Sequence, residues 1–416
     1  MSRGPYQSYF DTLKRKSTQQ SNSEHQPVKI GQADSSNFNN QAVDILQEIS
    51  NKLDRLGKTG HNPKVPDVVD TPRTEGTIDL AIINGKVVLP DVGVIETNIY
   101  IRDGVVCSLG THPPADVKEV IDASNRYVMP GIIDPHVHLG LFAPLKTELE
   151  TETKAALFGG VTTIGCYFGG PESHFKVFPS IMEDIQSYSH TDVIPHLVIG
   201  SDEQKSEIVD YTKHFGITSF KIYMNGIPGL IPDVDDAFIL DVMDEMKRSG
   251  KECILCSHTE NRYLVRRAFE KIKREKGDSA DIRDWTDTHP DIAEEEAVIR
   301  LAYLAENAKV PIYMVHISSK AAIDRLRQIK PYNRYVNVET TSPYLSITRD
   351  SSMGNTIKME PPFRDDKDLE ALWEGVEDGL VDTIGTDNVT LTRAEKNIDA
   401  SIWDTIPGYS ALETHL

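Results

Sequence analysis

The stretch GIIDPHVHLG, residues 131–140, is an apolar run that ends in two histidines one residue apart. A β-strand directs side chains two residues apart to the same face, so His136 and His138 are predicted to lie side by side. The run begins a series of eight strand patterns, which are PGIIDPHVH, VTTIGCYF, DVIPHLVIG, TSFKIYM, ECILCSH, PIYMVHIS, RYVNVETT and LVDTIGTD. Helical patterns separate most of them. Eight strands with intervening helices over residues 131–416 predict a (β/α)8 TIM barrel of the α/β class.

Shorter apolar runs with turn residues precede the barrel. Residues 76–130 predict a small N-terminal β domain of the sandwich type. The pairs Asn84-Gly85 and Asp103-Gly104 are typical of hairpin turns, because these residues accept positive φ angles.

Residues 1–75 differ from the rest in composition, being rich in Ser, Gln and Asn, and predict a mostly disordered tail. Within this tail, apolar residues recur every three or four positions over residues 40–57, which indicates an amphipathic helix. Such a helix either joins copies of the chain or docks on a partner, or it packs on its own chain.

The overall composition limits the class of partner. The chain of 416 residues carries 44 basic and 64 acidic residues, for a net charge of −20. That charge disfavours binding to nucleic acid or to an anionic membrane surface. Four cysteines are too few for a disulfide scaffold, and no apolar run is long enough to span a membrane. We therefore expect a cytoplasmic protein.

Residue types that bind metals recur at the carboxyl ends of the predicted strands. In a TIM barrel these ends meet at one mouth, where catalytic residues lie. A single histidine on a strand is more often a packed core residue, and a single aspartate often caps a helix. Taken together, the set is better explained by a functional site, because charged groups are seldom buried without a purpose. The set comprises His136, His138, Lys221, His258, His316 and Asp387.

The other histidines have weaker patterns. His196 lies inside an apolar strand and is expected to be a packed interior residue. The remainder, His174 and His289 among them, fall in loops or on helices and are expected to face solvent.

The motifs PGIIDPHVHLG, SFKIYM, SHTENRYL, YMVHISS, ETTSPYL, EPPFRD and IGTDN, in this order, resemble the dihydropyrimidinase and hydantoinase family of the amidohydrolase superfamily. The resemblance runs from about residue 77 to the end of the chain. It implies a TIM barrel with a flanking β-sandwich, a homo-oligomer (tetramer or dimer), and two divalent metal ions, usually Zn²⁺. In the implied site, His136, His138 and Asp387 hold one ion, His258 and His316 hold the other, and a carbamate on Lys221 bridges both.

The implied reaction is hydrolysis of a C–N bond in a cyclic amide or imide, such as the ring of a dihydropyrimidine or a hydantoin. A metal-bridged hydroxide would attack the carbonyl, with Asp387 as general base and then general acid. Thr341, Ser342 and Asn388 are expected to contact the substrate.

The sequence departs from the family pattern in three places. Gly226 stands where members usually carry a tyrosine that stabilises the oxyanion, and Tyr223 is offset so that it is expected to face elsewhere. Asn388 replaces a histidine after Asp387. Family members also continue beyond this C-terminus, so we expect a truncated chain with an incomplete last barrel helix.

Other functions are open. One is a non-catalytic, dihydropyrimidinase-related scaffold, although such proteins typically lack the metal ligands. Another is an allantoinase-type hydrolase. A dihydroorotase is less consistent with the sequence, because those enzymes generally place an arginine soon after the His-x-His pair and HVHLGLFAP contains none.

Overall fold

The computed structural model describes residues 77–90, 92–111, 116–227 and 231–416. The predicted tail and its helix over residues 40–57 lie outside these ranges. The described chain divides into two compact units between Gly131 and Ile132. None of the helices in the described part combines the length and the apolar character needed to cross a bilayer.

The N-terminal unit contains one five-stranded sheet. Antiparallel pairing joins β1 to β2 and β2 to β3, while β4 and β5 both run parallel to β1. Ile78, Ala81 and Tyr100 form its small core. The strands are β1 (Ile78–Leu89), β2 (Gly93–Arg102), β3 (Val105–Gly110), β4 (Val117–Asp122) and β5 (Tyr127–Val128).

The two predicted hairpin turns of this unit have different outcomes. Asp103 and Gly104 do connect β2 to β3, with φ angles of 52° and 74°. Asn84 and Gly85 instead lie inside β1, where the pairing with β2 shifts register in a bulge. A Cβ on Gly85 would lie 2.6 Å from Cγ2 of Val128, so the glycine permits a close approach of β5 rather than a chain reversal. The hairpin prediction at this pair is wrong.

The second unit is the predicted barrel. Every strand pair in it is parallel, and neighbouring strands follow the order of the chain. The strands are β6 (Ile132–His138), β7 (Val161–Phe168), β8 (Asp192–Val198), β9 (Ser219–Tyr223), β10 (Ile254–His258), β11 (Ile312–Met314), β12 (Val336–Thr341), β13 (Thr383–Gly385) and β14 (Asn388–Val389).

The eighth barrel strand is split, and the split closes the barrel. Its first half, β13, pairs with β12, whereas its second half, β14, pairs with the first barrel strand, β6. Thr386 and Asp387 form the break between the two halves. The prediction of a TIM barrel preceded by a small β unit is therefore confirmed.

Helices alternate with the barrel strands and pack on them through apolar faces. In the helix that follows β9, for example, Ile239, Val242, Met243 and Met246 recur at helical spacing and are buried. The helices are α1 (Leu145–Phe158), α2 (His174–Tyr188), α3 (Asp202–Ser206), α4 (Ile208–Phe215), α5 (Asp236–Arg248), α6 (Arg262–Lys276), α7 (Ile282–Asp287), α8 (Asp291–Ala308), α9 (Lys320–Ile329), α10 (Asp366–Glu377) and α11 (Arg393–Lys396).

Candidate metal centre

Three side chains from the first and eighth barrel strands converge at the mouth of the barrel. Oδ1 of Asp387 lies 3.2 Å from Nε2 of His136 and 3.2 Å from Nε2 of His138. The two Nε2 atoms are themselves 3.2 Å apart. Two imidazole nitrogens and one carboxylate oxygen within 4.8 Å of one another are a donor set that suits a divalent cation.

The break in the eighth strand places Asp387. The residue has a φ of 54°, in the left-handed region that side chains other than glycine seldom occupy. Thr386 holds this conformation, because its hydroxyl donates to Oδ2 of the buried Asp134 at 2.6 Å and accepts from the amide of Asn388 at 3.0 Å. The strand thus turns out of the barrel wall and presents its carboxylate to the mouth.

A second buried carboxylate orients His136. Oε1 of Glu339, on β12, lies 2.7 Å from Nδ1 of His136, which leaves Nε2 directed at Asp387. The same Oε1 accepts from the amide of His316 at 3.0 Å, and Oε2 accepts from the Tyr313 hydroxyl at 2.5 Å. Burial raises the pKa of Glu339 to about 7 and holds the pKa of His136 well below its usual range, so His136 is neutral and able to bind a metal.

His258 and His316 form the opposite side of the mouth. Their ring centroids are 4.5 Å apart, and the His316 ring stacks on that of His136 at 5.5 Å. Nε2 of His258 lies 2.7 Å from Glu260, whose other oxygen lies 3.0 Å from Nδ1 of His289. Burial opposes ionisation of Glu260, yet His289 and His258 hold its pKa well below the usual range, so it is a carboxylate.

Lys221 lies at the same mouth, and its charge acts on both His136 and His316. The side chain is fully buried, and its Nζ has no hydrogen-bond partner among the described residues. The nitrogen is 4.5 Å from the ring centroid of Tyr167 and 5.1 Å from that of Tyr223. Burial lowers the pKa of Lys221 to about 8 from the ordinary 10.5. A buried amine without a hydrogen-bond partner is costly, because burial removes the water that would otherwise solvate it.

The centre opens into a cavity of about 270 Å³. His138, Lys221, His258, His316 and Asp387 line one end, whereas His136 is buried behind them. Most of the remaining wall is apolar or glycine and includes Leu141, Phe142, Ile227, Ile231, Met359 and Val389.

Thr341, Ser342 and Asn388 are not among the residues that line this cavity. The amide of Ser342 donates to the Gly385 carbonyl at 3.0 Å, and the Asn388 side-chain oxygen accepts from the amide of Ala411 at 2.8 Å. Both groups therefore make bonds within the protein, and the substrate contacts of these three residues stay a prediction.

Tyr223, by contrast, does line the cavity, and its ring stacks on His258 with centroids 5.8 Å apart. The expectation that it faces elsewhere is wrong, because it lies two residues after Lys221 on β9 and shares that face of the strand. Gly226 has a φ of 68°, and a Cβ there would lie 2.6 Å from the amide nitrogen of Asp233. No tyrosine fits at position 226 without movement of the loop.

Two histidines expected to face solvent are buried. His174 is 1% exposed and lies 2.8 Å from the Val198 carbonyl, and His289 is 1% exposed and bound to Glu260. Glu339 and Glu260 were not predicted as part of the site. Their only signal in the sequence is a charged residue at or just after a buried strand, in ETT and SHTEN.

No protein-family model matches the chain. Individual relatives do. The chain is 30% identical to a D-hydantoinase of Rhizobium radiobacter over 329 residues, which are 75% of this chain and 69% of the relative. It is 26% identical to an L-hydantoinase of Paenarthrobacter aurescens over 352 residues, 81% of this chain and 74% of the relative. It is also 29% identical to a dihydroorotase of Bacillus cytotoxicus, over 75% of this chain and 72% of the relative.

Solved structures agree with these relatives. The L-hydantoinase (dihydropyrimidinase) from Arthrobacter aurescens superposes with a TM-score of 0.75 at 26% identity, covering 82% of this chain and 76% of that one. A D-hydantoinase from a Bacillus species, AR9, superposes with a TM-score of 0.74 at 26% identity, covering 81% and 75%. By sequence similarity and by fold, the chain belongs to the dihydropyrimidinase/hydantoinase family of the amidohydrolase superfamily.

Proposed function

We propose that the protein is a metal-dependent hydrolase that opens the ring of a small cyclic amide or imide, of the dihydropyrimidine or hydantoin type, at a C–N bond. One observation carries the proposal. Three histidines, a lysine and an aspartate from five barrel strands line one end of a single cavity, and His136 lies behind them, with its Nε2 3.2 Å from Nε2 of His138. The hydantoinase names of the relatives support the reaction class.

The proposed ligands fall into two groups. His136, His138 and Asp387 would hold one divalent ion and His258 with His316 the other, with a carbamate on Lys221 between them. Nitrogen and carboxylate ligands in a buried site favour Zn²⁺. When bound, the two ions supply a Lewis acid for the substrate carbonyl and lower the pKa of a water molecule.

Lys221 is suited to carbamate formation. Its amine is neutral in a large fraction of molecules near pH 8, and a neutral amine adds to the carbon of CO₂. The new N–C bond forms as one C=O π bond of CO₂ breaks, its electron pair passes to the oxygen, and the nitrogen loses one proton to solvent. A buried amine is thereby exchanged for an anion, which two nearby cations would stabilise.

Asp387 would move the proton. Burial opposes its ionisation, but a hydrogen bond with His138 lowers the pKa of Asp387, so it is a carboxylate that can accept a proton from the attacking water. The same carboxyl group then protonates the leaving ring nitrogen. Burial raises the pKa of Tyr223, so its phenol stays protonated and can donate to the carbonyl oxygen.

The alternatives are less consistent with the site. Among the described residues that line the cavity there is no arginine to receive the carboxylate of dihydroorotate. A non-catalytic scaffold would not require the six side chains to converge. Homo-oligomeric assembly and a cytoplasmic location, both expected from the sequence, remain proposals.

The test is a ring-opening assay on protein loaded with zinc and bicarbonate. Dihydrouracil, hydantoin, allantoin and dihydroorotate are compared, together with metal content. We expect about two metal ions per chain and turnover of dihydrouracil or hydantoin. The variant His258→Asn should lose activity and one ion, whereas His190→Asn, which removes an exposed imidazole, should lose neither.

Two results would contradict the proposal. Protein that binds no metal under these conditions excludes the two-ion site. Protein that is fully loaded but opens none of the four rings excludes the proposed substrate class and favours the scaffold.

A further inference from the structure

We infer that the Asn225 side chain binds the substrate ring, by pairing with an N–H and a C=O group that lie side by side outside the scissile bond. This inference rests on the proposed function. It adds which ring atoms the cavity recognises, and so which class of cyclic amide the enzyme prefers.

Asn225 belongs to the wall that carries the proposed chemistry. Lys221, Tyr223 and Asn225 are alternate residues at and just beyond the end of β9, and all three line the cavity. Among the described lining residues, Asn225 is the only one with a carboxamide, which carries a hydrogen-bond acceptor and a donor side by side. In pockets of this kind, a few polar groups in an apolar wall set the orientation and the specificity of the ligand.

The carboxamide of Asn225 has an unsatisfied acceptor. Its Oδ1 is shielded from solvent and accepts no hydrogen bond from the described residues. A buried acceptor without a donor costs free energy, and a ligand that supplies the donor removes that cost. The Cβ–Cγ torsion of an asparagine has broad minima, so the carboxamide can turn its oxygen towards a ligand in the cavity.

The backbone on both sides of Asn225 is fixed by hydrogen bonds. The Met224 amide donates to the His258 carbonyl at 3.1 Å. The Gly226 amide donates to the Tyr223 carbonyl at 3.3 Å, which closes a tight turn that contains Asn225. The carboxamide is therefore carried by a fixed part of the wall, as a selective contact requires.

The chemistry of a small cyclic amide matches that of a carboxamide. Within a small ring the amide bond is cis, so its N–H and C=O groups point to the same side. Dihydropyrimidines and hydantoins contain such a pair outside the scissile bond, formed by the ring N1–H and C2=O. Asn225 accepts from the first and donates to the second, in two parallel hydrogen bonds. The scissile carbonyl remains available to the ions and to Tyr223.

The experiment compares three rings of the same size. Dihydrouracil has both groups of the pair, glutarimide has a methylene in place of the N1–H, and 2-piperidone lacks the second carbonyl as well. The value of kcat/KM and, by calorimetry, the association constant are measured for each ring with the zinc-loaded full chain.

Asn225→Leu removes the polar atoms and keeps the approximate volume of the side chain. We expect this variant to lower both values about tenfold to a hundredfold for dihydrouracil, less than about tenfold for glutarimide and less than about twofold for 2-piperidone. Asn307→Leu, which removes an exposed carboxamide on α8, should leave all values unchanged. An equal loss for the three rings in Asn225→Leu would overturn the inference, as would no loss for dihydrouracil.

Two further results separate the inference from its alternatives. Asn225→Leu should keep the zinc content of the wild type, and a loss of zinc would assign Asn225 to the metal centre and overturn the substrate contact. If the wild type opens none of the rings, the proposed function fails. Calorimetry then decides the inference, since a preference for dihydrouracil that disappears in Asn225→Leu supports it, and equal or absent binding overturns it.

Discussion

At the scale of single residues, Lys221 has the most unusual environment in the centre. Burial of an ammonium without a hydrogen-bond acceptor is costly. For this reason burial favours the neutral amine and lowers the pKa of Lys221 to about 8. Metal loading should therefore depend on CO₂ and on pH. Bicarbonate should accelerate zinc uptake by metal-free protein, and the acceleration should be greater at pH 8.5 than at pH 6.5, where the amine is mostly protonated.

The measurement is zinc content against time, with ¹³C-labelled bicarbonate to detect a carbamate by NMR. Lys221→Met should show no carbamate signal and no effect of bicarbonate. Zinc uptake that is equally fast with CO₂ excluded would contradict a carbamate ligand.

Glu260 acts on the centre through His258. As a carboxylate it accepts from both His258 and His289, and so fixes which ring nitrogen of His258 faces the mouth. Glu260→Gln keeps the size but weakens that bond. We expect zinc affinity at the second site to fall by about tenfold to a hundredfold, measured by competition with a chelator. Glu183→Gln, which removes an exposed carboxylate on α2, is the control. Unaltered affinity in Glu260→Gln would show that His258 is oriented without it.

The residues of the centre could be predicted to very different degrees. The six strand-end residues are recognisable because each interrupts an apolar run at a fixed place in the βα pattern. Glu339 lies 203 positions from His136, and Glu260 lies 29 positions from His289, so these partners are set by barrel closure and not by local sequence. The burial of His174 and His289 was missed for the same reason, since their acceptors come from other elements.

At the scale of elements, the split eighth strand is the feature on which Asp387 depends. The Thr386 hydroxyl bonds to Asp134 on the first barrel strand, and burial raises the pKa of Asp134 to about 6, so this carboxylate is costly to leave unsatisfied. Thr386→Val removes the donor while it preserves the shape. We expect a loss of about 1–3 kcal/mol in the free energy of unfolding and a lower zinc content, measured by urea denaturation and metal analysis.

Thr151→Val, on the exposed face of α1, is the matched control, and it should change the free energy of unfolding by less than about 0.5 kcal/mol. If Thr386→Val were as stable as the wild type and kept its zinc, the hydrogen bond to Asp134 would not hold the break.

The strands were predicted most accurately where both faces of the strand are buried. The first seven barrel strands and β13, the first half of the eighth, lie within the predicted runs, because strands covered on both faces are mostly apolar. The second half of the eighth strand, β14, lies just after the last predicted run. Helices α6 and α7 were missed, as were the short helices α3 and α11. Only Phe269 is buried in α6, so the charged run RYLVRRAFEKIKREK gives a weak apolar pattern. The bulge at Gly85 was also missed, because it depends on β5, more than forty positions later.

At the scale of the whole molecule, the proposed ions would join five of the eight barrel strands. The proposed ligands come from the first, fourth, fifth, sixth and eighth strands, which meet only in the folded barrel, so metal would bind the native state much more tightly than the unfolded chain. Such binding adds about 4 kcal/mol to the free energy of unfolding when free metal exceeds its Kd a thousandfold. Chelation should therefore lower the Tm by several degrees, and zinc with bicarbonate should restore it. Calorimetric scans of both forms measure this shift.

His316→Asn, which removes one proposed ligand, should show a smaller shift in Tm on chelation, and His190→Asn should show the full shift. A Tm that is insensitive to chelation, in protein shown to lose its zinc, would mean that the barrel holds the ligand geometry without the ions and that the ions serve the reaction alone.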